Sequence, residues 1–292
     1  MMTSPVTLLL AGLGVTGAAF LIAWWRSATT GGHPHKFPTP LQLGLGAVTL
    51  FFDTLGIGNF ATCTAAFRTL KMVRDEFIPG TLNVGSAVPQ SLEAFVFLAA
   101  IAVDPLTVLL LVAVGAVGSF LGGRIVAGLP RRYIQLGMGV ALLVGAALML
   151  MTNMRWIPGG GTAIGLSGAW LVVAVALNFV FGALCALGIG NYAPSLIAFS
   201  LLGMDPRAAF PIMAGSAAYM QALSGIAFVR HGRYDGQAAL GLTLGGVPGV
   251  LVAAYLVKTL PLVAIRWLVV VAVLYASVSL LRSALAKARA AA

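Results

Sequence analysis

The chain has 292 residues, of which 60% are hydrophobic and 8% charged, and its mean hydropathy is +1.02. A soluble domain carries about 25% charged residues, so no water-soluble core could hide this much apolar surface, and most of it must face lipid. The net charge of +10 comes from 17 Lys and Arg placed mostly in short loops, as membrane orientation requires; that placement argues against a nucleic-acid partner and for a lipid bilayer.

A spanning helix needs about 20 apolar residues. The first apolar run, 5–25, has no basic segment before it, ends in "WWR" and is too long for a cleaved signal core. It reads as a transmembrane helix with an aromatic interfacial end, and with its loop it forms a first unit, 1–39. Further apolar runs follow at 40–67, 79–103, 105–128, 132–152, 163–202, 206–229, 236–257 and 261–281. Short loops separate them, marked by Pro40, Pro79, Pro105, Pro130, Pro158, Pro206 and Pro261, and leave no room for a soluble domain.

The body repeats. "DTLGIGNFATCTAAF" from Asp53 is echoed by "CALGIGNYAPSLIAF" from Cys185, so Gly56 pairs with Gly188 and Pro79 with Pro211. "GSAVPQSL" from Gly85 is echoed by "GSAAYMQAL" from Gly215, and "GAVGSFLGG" from Gly115 by "GGVPGVLVA" from Gly245. Two similar units result, 40–157 and 158–292, a layout common among secondary transporters. If every run crosses once from an outside N-terminus, eight of the 17 basic residues fall inside and nine outside. If runs 40–67 and 163–202 each enter and leave on one side, only Arg155, Arg207, Lys258 and Arg266 remain outside, and the other thirteen are inside. The positive-inside rule favours the second arrangement. Each half then makes an odd number of crossings, so the halves are inverted, with the N-terminus outside and the C-terminus cytoplasmic. The expected fold is an all-α integral membrane protein with two inverted repeats, broken re-entrant hairpins and one extra N-terminal helix.

Why glycine pairs sit in these apolar runs follows from helix ends. Glycine costs about 1 kcal/mol in a helix interior, but Gly56 or Gly188 can supply the left-handed residue that closes one helix. Asn59 or Asn191 can then cap the start of a second. Unpaired N–H groups at such a start are costly in a dry interior and suit a small anion. Pro194 falls within a first turn. Thr62 takes its place in the first copy, and Ser86 followed by Pro89 reads as a further helix start. The candidate binding set is Gly56, Gly58, Asn59, Thr62, Thr64, Ser86 and Gln90 in one half, with Ser91 as a further neutral donor. The other half supplies Gly188, Gly190, Asn191, Tyr192, Ser195, Ser216 and Gln221, with Tyr219 nearby. The competing reading is that the glycines serve close helix packing.

Among the acids, Asp75, Glu76, Asp104, Asp205 and Asp235 read as loop residues, while Asp53 and Glu93 lie inside apolar runs. An intramembrane carboxylate is a functional candidate by default, and either could carry a coupling proton; Asp53 could instead cap a helix. Arg68, Lys71 and Arg74 read as orientation charges that could also gather anions at the inner mouth. Cys63 and Cys185 read as buried free thiols, and His33, His35 and His231 as loop residues. No metal or cofactor is expected, and no nucleotide motif is present. Without membrane histidines, an intramembrane enzyme lacks its acid–base chemistry.

At these residues the chain resembles the sulfite exporter TauE/SafE family of anion permeases. The resemblance rests on "FFDTLGIGNFATCTAAFRTLKMVRDEFIPGTLNVGSAVPQSLEAFVF" and "GALCALGIGNYAPSLIAFSLLGMDPRAAFPIMAGSAA". It covers nearly everything after the first helix. It implies a carrier in a bacterial inner membrane for sulfite, sulfonates or related sulfur-containing anions, usually as an exporter. It points to Gly56, Gly58, Asn59, Gly188, Gly190, Asn191 and Pro194; the first copy departs from the pattern, with Thr62 in place of proline. The expectation is a non-enzymatic secondary transporter working by alternating access, with proton or potential coupling, as a monomer or a homo-oligomer. A passive anion channel is the alternative.

Overall fold

A computed structural model describes residues 4–29, 37–125, 131–156, 161–185 and 191–289. Among them the chain is all-α. Helix α1 spans Ser4–Thr29. The first half follows with α2 (Pro40–Thr54), α3 (Asn59–Thr69), a 3₁₀ turn at Asp75–Phe77, α4 (Ile78–Ala100), α5 (Pro105–Ile125) and α6 (Arg131–Asn153). The second half holds α7 (Gly168–Cys185), α8 (Tyr192–Leu201), α9 (Pro206–Arg230), α10 (Gly236–Thr259) and α11 (Leu262–Arg289). Among the described residues, five stretches are long and apolar enough to cross a membrane: Pro5–Thr29, Gly168–Cys185, Pro206–Arg230, Gly236–Thr259 and Val263–Arg282. The architecture fits an all-α membrane protein.

Local chemistry sets the boundaries. Thr39 and Gln42 form a capping box ahead of α2, with Pro40 at its first position, where its missing N–H costs nothing. Three of the acids read as loop residues close helix starts. Asp104 Oδ2 accepts from the Thr107 N–H at 2.8 Å, Asp205 Oδ1 from Arg207 at 2.8 Å and Asp235 Oδ1 from Ala238 at 2.9 Å. Each satisfies an otherwise open donor and complements the helix dipole. The remaining two form exposed ion pairs, Arg68–Asp75 at 3.1 Å and Arg74–Glu76 at 3.0 Å.

The most extensive helix pairings are α2–α10, α4–α9, α5–α7 and α6–α11. Exchanging each first-half helix for its counterpart (α2 for α7, α4 for α9, α5 for α10, α6 for α11) maps this set onto itself. So the first helix of each half packs chiefly on the other half. Small residues permit the approach. An added Cβ on Gly46 would stand 2.7 Å from the Gly241 carbonyl oxygen, and Gly241, Gly245 and Gly249, four apart on α10, meet Gln42, Leu43 and Ala47 of α2. Gly118 likewise meets Phe179, and Gly182 meets the Gly115 carbonyl, across α5–α7. Much of the glycine content therefore serves close packing.

The exterior is apolar, unlike that of a soluble protein, and the largely apolar core also holds polar side chains. Val15, Phe120, Val172 and Val252 are exposed, whereas Asp53, Asn59, Gln90, Glu93, Asn178 and Ser216 are buried. An apolar exterior costs nothing in lipid, while buried polar groups must find partners. Helix α4 illustrates the second point. Pro89 lies in its interior and cannot bond the Gly85 carbonyl one turn back. The Thr243 hydroxyl of α10 donates to that carbonyl instead, at 2.8 Å.

Candidate functional site

Run 40–67 is broken where the glycines suggest. Gly56 has φ +97° and Gly58 φ +81°, values open to glycine at little cost. The Gly56 N–H reaches the Asp53 carbonyl at 2.7 Å and the Ile57 N–H reaches Phe52 at 3.1 Å, the paired bonds of a Schellman ending. Run 163–202 is also divided, into α7 and α8. Gly188 and Gly190 lie outside the described residues.

The helix starts differ from the expected pattern. Gly58, not Asn59, occupies the cap position of α3. Asn59 is the first helical residue, and its Nδ2 donates to Ser86 Oγ at 2.8 Å. Its backbone N–H, expected to be open to a ligand, is taken by Asp53 Oδ1 at 2.8 Å. The carboxylate thus caps the helix after the break. Asn191 does sit at the cap position of α8, but its side chain makes no capping bond. Its Nδ2 is buried without an acceptor among the described residues.

Around the first break lies a continuous buried polar group. Gln90 Nε2 donates to Asp53 Oδ2. The Tyr192 hydroxyl lies 2.8 Å from Gln90 Oε1 and 2.7 Å from Glu93 Oε1. The Thr54 hydroxyl lies 2.9 Å from Glu93 Oε2 and also reaches the Leu50 carbonyl at 2.9 Å. Asp53, Thr54, Asn59, Ser86, Gln90, Glu93 and Tyr192 are all at most 3% exposed. Tyr192 belongs to the second half, so one residue of α8 reaches the acids of the first half. A second cluster joins Asn178 to the Leu111 carbonyl (2.6 Å), Ser216 Oγ (3.3 Å) and Ser195 Oγ (3.4 Å).

The two breaks approach each other. Ile57, Gly58 and Phe60 from the first face Tyr192, Ala193 and Pro194 from the second across a cavity of about 40 Å³, room for at least a water-sized group. A larger cavity of about 250 Å³, which shares no lining residue with it, opens beside Asp205, Arg207 and Lys258.

Several expected site residues are engaged elsewhere. The Thr62 hydroxyl bonds back to the Asn59 carbonyl at 2.9 Å, Ser91 bonds back to Ala87 at 2.7 Å, and Thr64 is half-buried. The Tyr219 hydroxyl donates to the Leu9 carbonyl of α1 at 2.6 Å. Gln221 is buried, with Oε1 unpartnered among the described residues. Ser86 and Pro89 lie inside α4 rather than starting a helix. Cys63 and Cys185 are free and buried. Sequence reasoning missed Thr54 and Asn178. For Asn178 the signal was a lone amide in an apolar run; Thr54 gave none, since threonine is common in membrane helices. Compared with protein-family models, with curated proteins and with solved structures, the chain matches none.

Proposed function

We propose that the protein is a secondary transporter of a small oxyanion, held where the two helix breaks face each other. One observation carries this reading. The start of α8 offers N–H groups of positive partial charge, and beside them the Asn191 side-chain amide, in a residue 3% exposed, has no acceptor for its hydrogens among the described residues. A buried donor without an acceptor costs about 1–3 kcal/mol, and a bound anion removes that cost. The resemblance to the TauE/SafE permeases narrows the ligand to sulfite, a sulfonate or a related sulfur anion, moved outward across a bacterial inner membrane.

Inverted halves, each with a re-entrant broken hairpin, complete the proposal. The distribution of basic residues supports them, and a pairing scheme unchanged when the halves are exchanged supports the equivalence of the two halves. Rocking of one half against the other would expose the site alternately.

The test is exchange of radiolabelled sulfite and methanesulfonate in proteoliposomes. Wild type shows saturable flux accelerated by unlabelled anion on the far side, and Asn191→Ala raises the half-saturating concentration at least tenfold. Because the amide has no partner to lose, the same variant is no less stable to heat than wild type. Flux that Asn191→Ala leaves unchanged removes the site assignment, and anion conductance without trans-acceleration makes the protein a channel.

A further inference from the structure

We propose that Asp53 is a tethered competitor for the transported anion: it occupies the start of α3 itself, and the anion reaches that helix end only when Asp53 takes up a proton. The inference rests on the anion-carrier reading above and assigns its coupling ion.

The two helix starts are built unequally. At the first, the chain turns back through Gly56–Gly58, so that the side chain of Asp53, in the last turn of α2, meets the N–H of Asn59, six residues on, at 2.8 Å. A carboxylate there occupies the place an exogenous oxyanion would take. At the second, the repeat offset of 132 residues sets Cys185 opposite Asp53. A thiol carries no such charge: it meets the Asn191 N–H as a neutral partner, and the Asn191 side-chain amide is left without an acceptor among the described residues. One end is held by the protein's own anion and the other by a neutral thiol.

Hydrogen-bond accounting indicates which acid bears the charge. A tyrosine hydroxyl has one hydrogen, yet Tyr192 lies within bonding distance of both Gln90 Oε1 and Glu93 Oε1. Both contacts are satisfied when Glu93 is the acid and donates to Tyr192, and Tyr192 donates to Gln90. Thr54 then donates to Glu93 Oε2 at 2.9 Å. The Leu50 carbonyl that Thr54 also reaches keeps its helix partner. Gln90 Nε2 and the Asn59 N–H both point donors at Asp53, which suits an ionised carboxylate. In this arrangement Glu93 holds the proton, and Asp53 carries the single negative charge of the pair. The titratable groups facing Asp53 are Glu93 on α4, Tyr192 on α8, Cys63 on α3 and Cys185 on α7. Among the described residues no lysine or arginine pairs with it.

The consequence is electrostatic. A substrate anion within about 5 Å of an ionised Asp53 is disfavoured by two orders of magnitude or more at an effective dielectric near 20. Adding one proton to a carboxylate oxygen of Asp53 cancels that repulsion and releases the Asn59 N–H. Proton and anion then occupy the site as a neutral pair, the form a low-dielectric interior accepts at least cost.

The experiment uses methanesulfonate, which stays ionised across the range tested, so any pH dependence belongs to the protein. Half-saturation of exchange is measured in proteoliposomes from about pH 5 to about pH 8. For wild type it rises by up to about tenfold per pH unit on the alkaline side, the slope for one linked proton. Asp53→Asn makes the profile flat, with tight binding retained at alkaline pH. The new amide is neutral, so it yields the Asn59 N–H to the anion as a protonated carboxyl does, and Gln90 can turn its own amide to accept from it. Glu93→Gln keeps the wild-type slope. An unchanged slope in Asp53→Asn overturns the proposal, as does a slope lost only in Glu93→Gln. Should Asp53→Asn fail to fold, proton uptake by the wild-type protein decides: about one proton per methanesulfonate bound at alkaline pH supports the proposal, and none overturns it. Wild type that exchanges neither methanesulfonate nor sulfite at any pH removes the carrier reading itself, a failure of flux distinct from a failure of slope.

Discussion

Two glycines on α2, two residues apart, should respond to alanine with opposite signs. An alanine Cβ at position 46 would stand 2.7 Å from the Gly241 carbonyl oxygen and 2.9 Å from both the Cα and the carbonyl oxygen of Leu242. Carbon contacts are comfortable from about 3.5 Å, so α2 and α10 must part by roughly 0.6–0.8 Å along that line. Every obstacle is backbone, which cannot turn aside as a side chain can. Overpacking of this kind costs about 1–3 kcal/mol, and the upper end applies here. The better helix propensity of alanine offsets about 1 kcal/mol of it, so Gly46→Ala loses about 2 kcal/mol. Gly44 is exposed and nothing lies within 4 Å of its added Cβ; Gly44→Ala gains up to about 1 kcal/mol. Reversible unfolding in mixed micelles with rising dodecyl sulfate measures both, and the variants should differ by about 3 kcal/mol. Gly46→Ala at or above wild-type stability, or equal shifts in the two variants, would refute the packing argument.

Gly56→Ala forces a side chain onto φ +97° and brings its Cβ 3.1 Å from Leu196 Cδ2. The left-handed backbone costs about 1–2 kcal/mol, and in the same assay Gly58→Ala, with nothing within 4 Å, shows that term alone. Tyr192→Phe withdraws the hydroxyl from Gln90 and Glu93 and lowers stability by about 1–3 kcal/mol; unaltered unfolding would mean the link between the halves carries no energy. Thr243→Val leaves the Gly85 carbonyl without a donor, for a loss of about 1 kcal/mol. In a Pro89→Ala background the helix supplies its own N–H, so the same substitution should cost less, and an additive double-mutant cycle would contradict this account.

The sequence makes the breaks legible because their causes are local. The left-handed residues at Gly56 and Gly58 need only glycine and a few neighbours. Asp53 and Glu93 are equally visible, as acids within apolar runs. What stayed hidden depends on distant partners. Ser86 with Pro89 resembles a helix start, and in isolation it would act as one; within the bundle, Thr243 supplies the missing donor and α4 continues through. Asn59 resembles a cap by composition, but Asp53, six residues earlier, already fills that role. No local pattern reveals that Tyr192 reaches Glu93, 99 residues away. Only the packing of α8 on the first half creates that contact.

The exchanged pairing of the halves bears on biogenesis. Helix α2 leaves the ribosome with a glycine face and a buried acid at its end, whereas its chief cover, α10, follows only after α3–α9. Throughout that interval the nascent chain holds an unfinished polar seam inside the bilayer, and insertion factors must shield it. A polypeptide cut short before α10 therefore cannot bring even its first half to completion and would remain a target for membrane quality-control proteases.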